Sequence, residues 1–290
     1  MKILVSTDTS CLTMQNQLKN IDISVFPLNI IIDGEEFLDG VTINQDQVKD
    51  AMRSGKNIKT STPPLGDILE YFEKIFAEGY DHVIHFTISS KLSSMYDLFC
   101  NVAKQNFPGK VTVIDAYAVS GVMLAQVLCA YDEVKKGTPV EEIVKIIEKM
   151  KSDNIIVFIP ENLTALKNGG RISPAVALIG NTIGIKPVIM LKDGELQKDS
   201  MTRRTRKTFI EKIDLLKEDF PVDKYDYSLI SFDAKEEEVN YIYNYAESVF
   251  GENKIMRGII PVNVCAHCGP GTIGLAVSPR INGKSIKDFV

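Results

Sequence analysis

The chain has 290 residues, of which 44% are hydrophobic and 24% charged, values that suit one large globular domain or two ordinary ones. A net charge of −5 provides no basic face for nucleic acid or anionic lipid. The longest apolar runs fall far short of the ~20 residues that a membrane span needs. The opening MKILVSTD runs straight into a strand-like segment, so the expectation is a cytoplasmic chain without a secretory signal or a membrane span.

In chain order, KILVS predicts a buried strand ending in the polar cluster Thr7 to Ser10. ISVFPLNIII is a second apolar run, and DGEEFLDG is a turn-rich connector. LGDILEYFEKIFAEG places Leu65, Ile68, Phe72 and Ile75 at helical spacing, with Gly79 as a stop. HVIHFTI predicts a strand, SSKLSS a polar loop, MYDLFCNVAKQ a helix and KVTVIDA another strand. Thr138-Pro139-Val140-Glu141 has the pattern of an N-cap, a first-position proline and a capping-box glutamate. Strands alternating with helices indicate a parallel, three-layer α/β domain over residues 1–155. Ligands of such sheets sit at the carboxyl ends of the strands. The polar clusters at 7–10, 87–94 and 115–121 all fall there.

From about residue 155 the pattern changes. IIVFIP predicts a strand and ENLTALKNGGR a short helix ended by Asn168 and Gly169. NGGRIS would join that helix to a second helical segment. KPVIMLKDGELQKD predicts two strands around an Asp193-Gly194 turn. Helices near 204–218 and 236–250 flank the strand YSLISF, and IGLAVS is the last strand. This half, 156–290, fits a second α/β domain with a mixed or antiparallel sheet.

Four clusters carry possible chemistry. Ser93 and Ser94 stand where a strand gives way to a helix, either as an ordinary cap or as hydroxyl donors beside free backbone N–H groups. KTSTPP at 59–64 is a hydroxyl cluster stiffened by two prolines, expected as a rigid loop that either caps the next helix or binds. NGGRIS at 168–173 permits close backbone approach but lacks the lysine and spacing of phosphate loops. TRRTRK at 202–207 is either a solvated helix face or a docking point for a phosphate-bearing partner.

CAHCGPG at 265–271 sets a histidine between two cysteines. A structural zinc needs four ligands, and the other cysteines (Cys11, Cys100 and Cys129) are isolated. A redox pair works at a helix N-terminus, whereas this one runs into Gly269-Pro270-Gly271 and a strand. What remains is a turn presenting His267 at a loop tip, with no metal.

Taken in order, STDTS (6–10), FPLNI (26–30), KTSTP (59–63), ISSKLSSMY (88–96), VIDAYAVSGV (113–122), LKNGGRIS (166–173), IGIKPVI (183–189) and AHCGPGTIGL (266–275) resemble the DegV family of fatty-acid-binding proteins. The resemblance implies two α/β domains, 1–155 and 156–290, with one long-chain fatty acid in a tunnel between them. It implies that the chain is the acyl-binding subunit of a bacterial fatty acid kinase. A separate catalytic subunit, which carries ATP and Mg, would phosphorylate the acid to an acyl-phosphate for phospholipid synthesis, and this chain would need no cofactor. By the same resemblance Ser61 and Ser93 hold the carboxylate with Thr60, Ser94 and His267, while Arg171 and Gly170 support the site. Arg204 faces the partner. Thr62 stands where the family has glutamine, Ser94-Met95 replaces a glycine-containing pair, and Cys268 lies in a turn that requires no cysteine. Two other readings are a stand-alone acyl hydrolase or acyltransferase, using a serine, His267 and Asp8 or Asp115, and a lipid-sensing regulator without a kinase. No G-x-S-x-G elbow supports the hydrolase.

Overall fold

The computed structural model describes residues 1–13, 17–18, 20–171 and 184–290. Its first half runs β1 (Ile3–Asp8), β2 (Ile23–Phe26), β3 (Asn29–Ile32), β4 (Glu35–Leu38), α1 (Gln45–Arg53), β5 (Ile58–Ser61), α2 (Leu65–Ala77), β6 (His82–Thr87), α3 (Met95–Asn106), β7 (Val111–Asp115), α4 (Ser120–Lys136) and α5 (Val140–Lys151). There follow β8 (Ile155–Ile159), α6 (Thr164–Gly169), β9 (Lys186–Lys192), β10 (Glu195–Thr202), α7 (Thr205–Asp219), β11 (Tyr225–Phe232), α8 (Glu236–Phe250), β12 (Ile255–Ile259), α9 (Val262–Cys268) and β13 (Thr272–Pro279).

Strands β2-β1-β6-β7 form a parallel sheet; α2 leads into β6 and α3 joins β6 to β7, as the alternation predicts. The second half supplies a six-stranded mixed sheet, β10-β9-β8-β13-β11-β12. Asp193 and Gly194 both take positive φ, so their turn closes the β9–β10 hairpin. Helix α4 packs against both β1 and β13. Its buried residues run from Ser120 through Ala130 without a break, the pattern of a helix buried on every face rather than an amphipathic one.

A third sheet, β4-β3-β5, departs from the expected pattern. ISVFPLNIII is two strands, because Pro27 lacks the N–H that a ladder needs. DGEEFLDG is not a connector: Asp33 and Gly34, at φ 52° and 93°, make a tight turn into β4. KTSTPP is not a loop up to Ser61, since Lys59, Thr60 and Ser61 pair with β3 as part of β5. The small sheet shares a core with the second half, where Ile30 and Ile32 pack with Phe232, Cys265 and Cys268.

Two smaller corrections concern helix ends. Thr138 does not cap α5; it donates 2.6 Å to Glu133 Oε2, a charged acceptor that outcompetes a backbone N–H, and Pro139 takes the cap position. Helix α6 runs on through Asn168 and Gly169 and ends at Gly170, φ 66°. The helical segment expected after it lies outside the described residues, as do Ile172, Ser173 and Ile183 of the quoted motifs.

Candidate functional site

The loop after β6 is pinned by the ends of its two neighbouring strands. Asp8, at the end of β1, accepts from the backbone N–H of Ile88 and of Ser10, each at 2.8 Å. Asp115, at the end of β7, accepts from Ser90 N and Tyr117 N. Burial pushes the Asp8 carboxyl up to about 6, although both backbone bonds favour its charged form. Within the loop Ser93 N donates to Ser89 O. Ser94 is the cap residue of α3, yet its side chain makes no capping bond, so neither serine works as an ordinary side-chain cap.

Ser93 faces a cavity of about 120 Å³ that is walled from both halves. Its wall is apolar, with Ile88, Met95, Phe158, Leu191, Leu196 and Ile230 among the lining residues. The polar lining includes Thr60, Ser61, Thr62, Ser93, Arg171 and His267. Among the described residues no Asp or Glu lines it. Leu191 and Leu196 flank the tip of the β9–β10 hairpin, which docks on the parallel-sheet side through Ser89 Oγ donating 2.6 Å to Gly194 O.

His267 sits in the last turn of α9, not on a loop tip. Its Nε2 lies 2.9 Å from Thr60 Oγ1, which ties α9 to β5. Its Nδ1 is buried without a partner among the described residues and faces the end of α6: a Cβ built on Gly169 would stand 2.3 Å from that nitrogen. Burial, with the Arg171 guanidinium adding to it, pushes the imidazole down to about 4, so the ring is neutral at pH 7. Arg171 donates to Gly169 O and, at 3.3 Å, to Leu92 O, linking the end of α6 to the serine loop.

Thr60, Ser61, Ser93, Arg171 and His267 thus meet at one cavity, whereas Ser94 and Gly170 do not line it. Gly170 instead makes the left-handed turn that ends α6 and precedes Arg171. Arg204 lies elsewhere, as the cap residue of α7 in an exposed concavity with Arg203, Lys207 and Lys212. The polar cluster at 7–10 does not line the cavity either; it stands behind it, where Ser10 Oγ accepts from Asn263 Nδ2 at 2.7 Å. Two further polar residues line the cavity. Ser120 is buried at φ 61° and Asn263 is buried too, and among the described residues neither Ser120 Oγ nor Asn263 Oδ1 has a partner. Ser120 falls within the flagged cluster at 115–121, while Asn263 is the one polar side chain in PVNVCA and carried no other signal.

Cys265 and Cys268 are free and buried, and burial raises the Cys265 thiol well above its ordinary value. Among the described residues no group of three or more His, Cys, Asp or Glu could hold a metal ion. No described helix is long and apolar enough to cross a membrane.

The chain is thus an α/β protein whose two halves enclose an apolar cavity with several hydroxyls on its lining. The family model described as "Uncharacterised protein, DegV family" matches residues 2–280, and this chain belongs to the DegV family. A DegV domain-containing protein of Staphylococcus aureus is 29% identical over 281 residues, covering 95% of this chain and 98% of that one. A Clostridium acetobutylicum relative is 27% identical over 277 residues, with the same coverage. A DegV family protein from Thermus thermophilus, described as fatty acid binding, superposes with a TM-score of 0.86 at 26% identity, covering 96% of this chain and 100% of that one. A Streptococcus agalactiae DegV family protein, also described as fatty acid binding, shares the fold at a TM-score of 0.87 and 23% identity, covering 97% and 99%.

Proposed function

We propose that this chain binds a long-chain fatty acid in the cavity and presents its carboxylate to a separate kinase subunit. The observation that carries the proposal is the cavity itself: an apolar wall, free of carboxylates among the described residues, with Thr60, Ser61, Ser93, Arg171 and His267 on its lining. Each methylene that the cavity buries is worth about 0.8 kcal/mol before ordering costs. A buried carboxylate is costly unless hydroxyls and N–H groups donate to it. Donors of that kind also hold it ionised, the form that attacks a phosphoryl group. Residues 1–155 and 156–290 act as two lobes around the ligand, and the chain works in the cytoplasm. The partner supplies ATP and Mg, so this chain needs no cofactor and contributes positioning alone.

The hydrolase reading lacks geometry. Asp8 and Asp115 spend carboxylate oxygens on backbone N–H groups. The His267 Nδ1 that a triad acid would orient has no partner among the described residues.

Native mass spectrometry with added palmitate or oleate should show one fatty acid per chain. Steady turnover of an acyl ester by the chain alone, or no lipid adduct at all, overturns the proposal. Acyl-phosphate formation should require the kinase subunit.

A further inference from the structure

Glu36 is exposed on β4, outside the cavity lining, yet it reaches the hydroxyl end. Its Oε1 accepts from Ser61 Oγ at 3.4 Å and from Asn29 Nδ2 at 2.5 Å. Asn29 is buried on β3 and pairs with Ser61 across the ladder, so the small sheet fixes where this carboxylate stands. Ser61 therefore sits between a resident carboxylate and the cavity. Of the described lining residues that could carry positive charge, Arg171 is already engaged with two backbone carbonyls, and His267 is neutral at pH 7.

We infer that Glu36 sets the charge selectivity of the site, competing for the Ser61 hydroxyl and repelling anionic head groups in proportion to their charge. This rests on the fatty-acid reading above. A carboxylate ligand that takes the Ser61 hydroxyl brings a second negative charge within about 6 Å of Glu36, one hydrogen-bond length beyond the observed contact. A phosphorylated head group, with close to two charges, is repelled about twice as strongly in free energy. The consequence is functional: the site holds the substrate acid while favouring departure of the more highly charged product.

The test is a charge series of one chain length, hexadecanol, palmitate and hexadecyl phosphate, titrated at pH 8 against the wild-type chain and Glu36→Gln. The amide keeps an oxygen acceptor for Asn29 and Ser61, so the sheet contacts survive. The variant should bind palmitate about threefold to thirtyfold more tightly, hexadecyl phosphate by roughly the square of that factor, and hexadecanol unchanged. The gains should shrink as salt is raised. Equal gains for all three ligands, or none, overturn the inference while leaving fatty acid binding intact. A wild-type chain that binds none of the three overturns the fatty-acid reading, and this inference with it. Thermal melts of the two proteins should coincide; a large difference would mark Glu36 as structural and also count against the inference.

Discussion

Gly169→Ala tests the head-group geometry with one methyl group. Gly169 is not at positive φ, so alanine meets no backbone strain there. In a helix interior it would even be favoured, by up to about 1 kcal/mol. The added Cβ, however, would lie 2.3 Å from His267 Nδ1 and 3.2 Å from Cε1. Ordinary contact begins near ~3.5 Å, so the ring must retreat by about 1 Å. Moving away from α6 drives Nε2 toward Thr60 Oγ1, already at 2.9 Å, so the ring must swing aside and the bond is distorted or lost. Losing that bond costs about 0.5–1.5 kcal/mol, and misplacing a donor to a charged head group about 1.5–3 kcal/mol. Palmitate affinity should therefore fall roughly tenfold to a few hundredfold while the protein stays folded. Isothermal titration of Gly169→Ala, His267→Ala and the double variant closes a cycle. If the methyl acts through the imidazole, adding it to His267→Ala should change nothing further. Full additivity, or unchanged affinity in folded Gly169→Ala, would refute the reasoning.

Ser93→Ala should weaken palmitate binding about tenfold to a hundredfold without unfolding the chain, as a lost hydrogen bond to a charged group implies; equal titration curves would place the head group elsewhere. Asp39 is buried, accepts from Thr9 Oγ1 and Asn263 N, and is pushed up to about 7 by burial. Its folded value lies above its unfolded one, so the stability that it contributes is present below about pH 4 and is lost as pH rises through about 7. The melting temperature of Asp39→Asn minus that of wild type should climb across this window and then level off; a flat difference would show that Asp39 is ionised throughout. Arg204→Ala should leave palmitate affinity unchanged and cut kinase-dependent acyl-phosphate formation about tenfold to a hundredfold; loss of lipid binding with kinase association intact would reverse its role.

Those features that depend on local periodicity were legible in the sequence. The β/α alternation up to Asp115, the Asp193-Gly194 hairpin and the long helices each carry their own pattern. Features that depend on a distant partner were not. Nothing in EEFL says that it will pair with Asn29–Ile32. VNVCAHC forms a helix although it is poor in strong helix formers, because its two thiols pack into a core with β3 and β11. Within the cavity lining, Thr60 and Ser61 come from β5, Ser93 from the loop before α3, Arg171 from just after α6 and His267 from α9, four places far apart in the chain. Only the order of the motifs hinted at their convergence. Glu36 gave no signal, since an exposed strand glutamate is chemically ordinary until its neighbours are known.

The burial of α4 on every face governs how the molecule can be made and taken apart. One side of this helix rests on β1, synthesised before it, and another on β13, synthesised long after it. Until β13 emerges from the ribosome, a helix running SGVMLAQVLCAY has an uncovered apolar side, the kind of surface on which chaperones and aggregates act. Cutting the chain between the two sheets would expose that side again. The amides of α4 should therefore exchange with solvent only when the whole molecule opens, long after those of the peripheral helices.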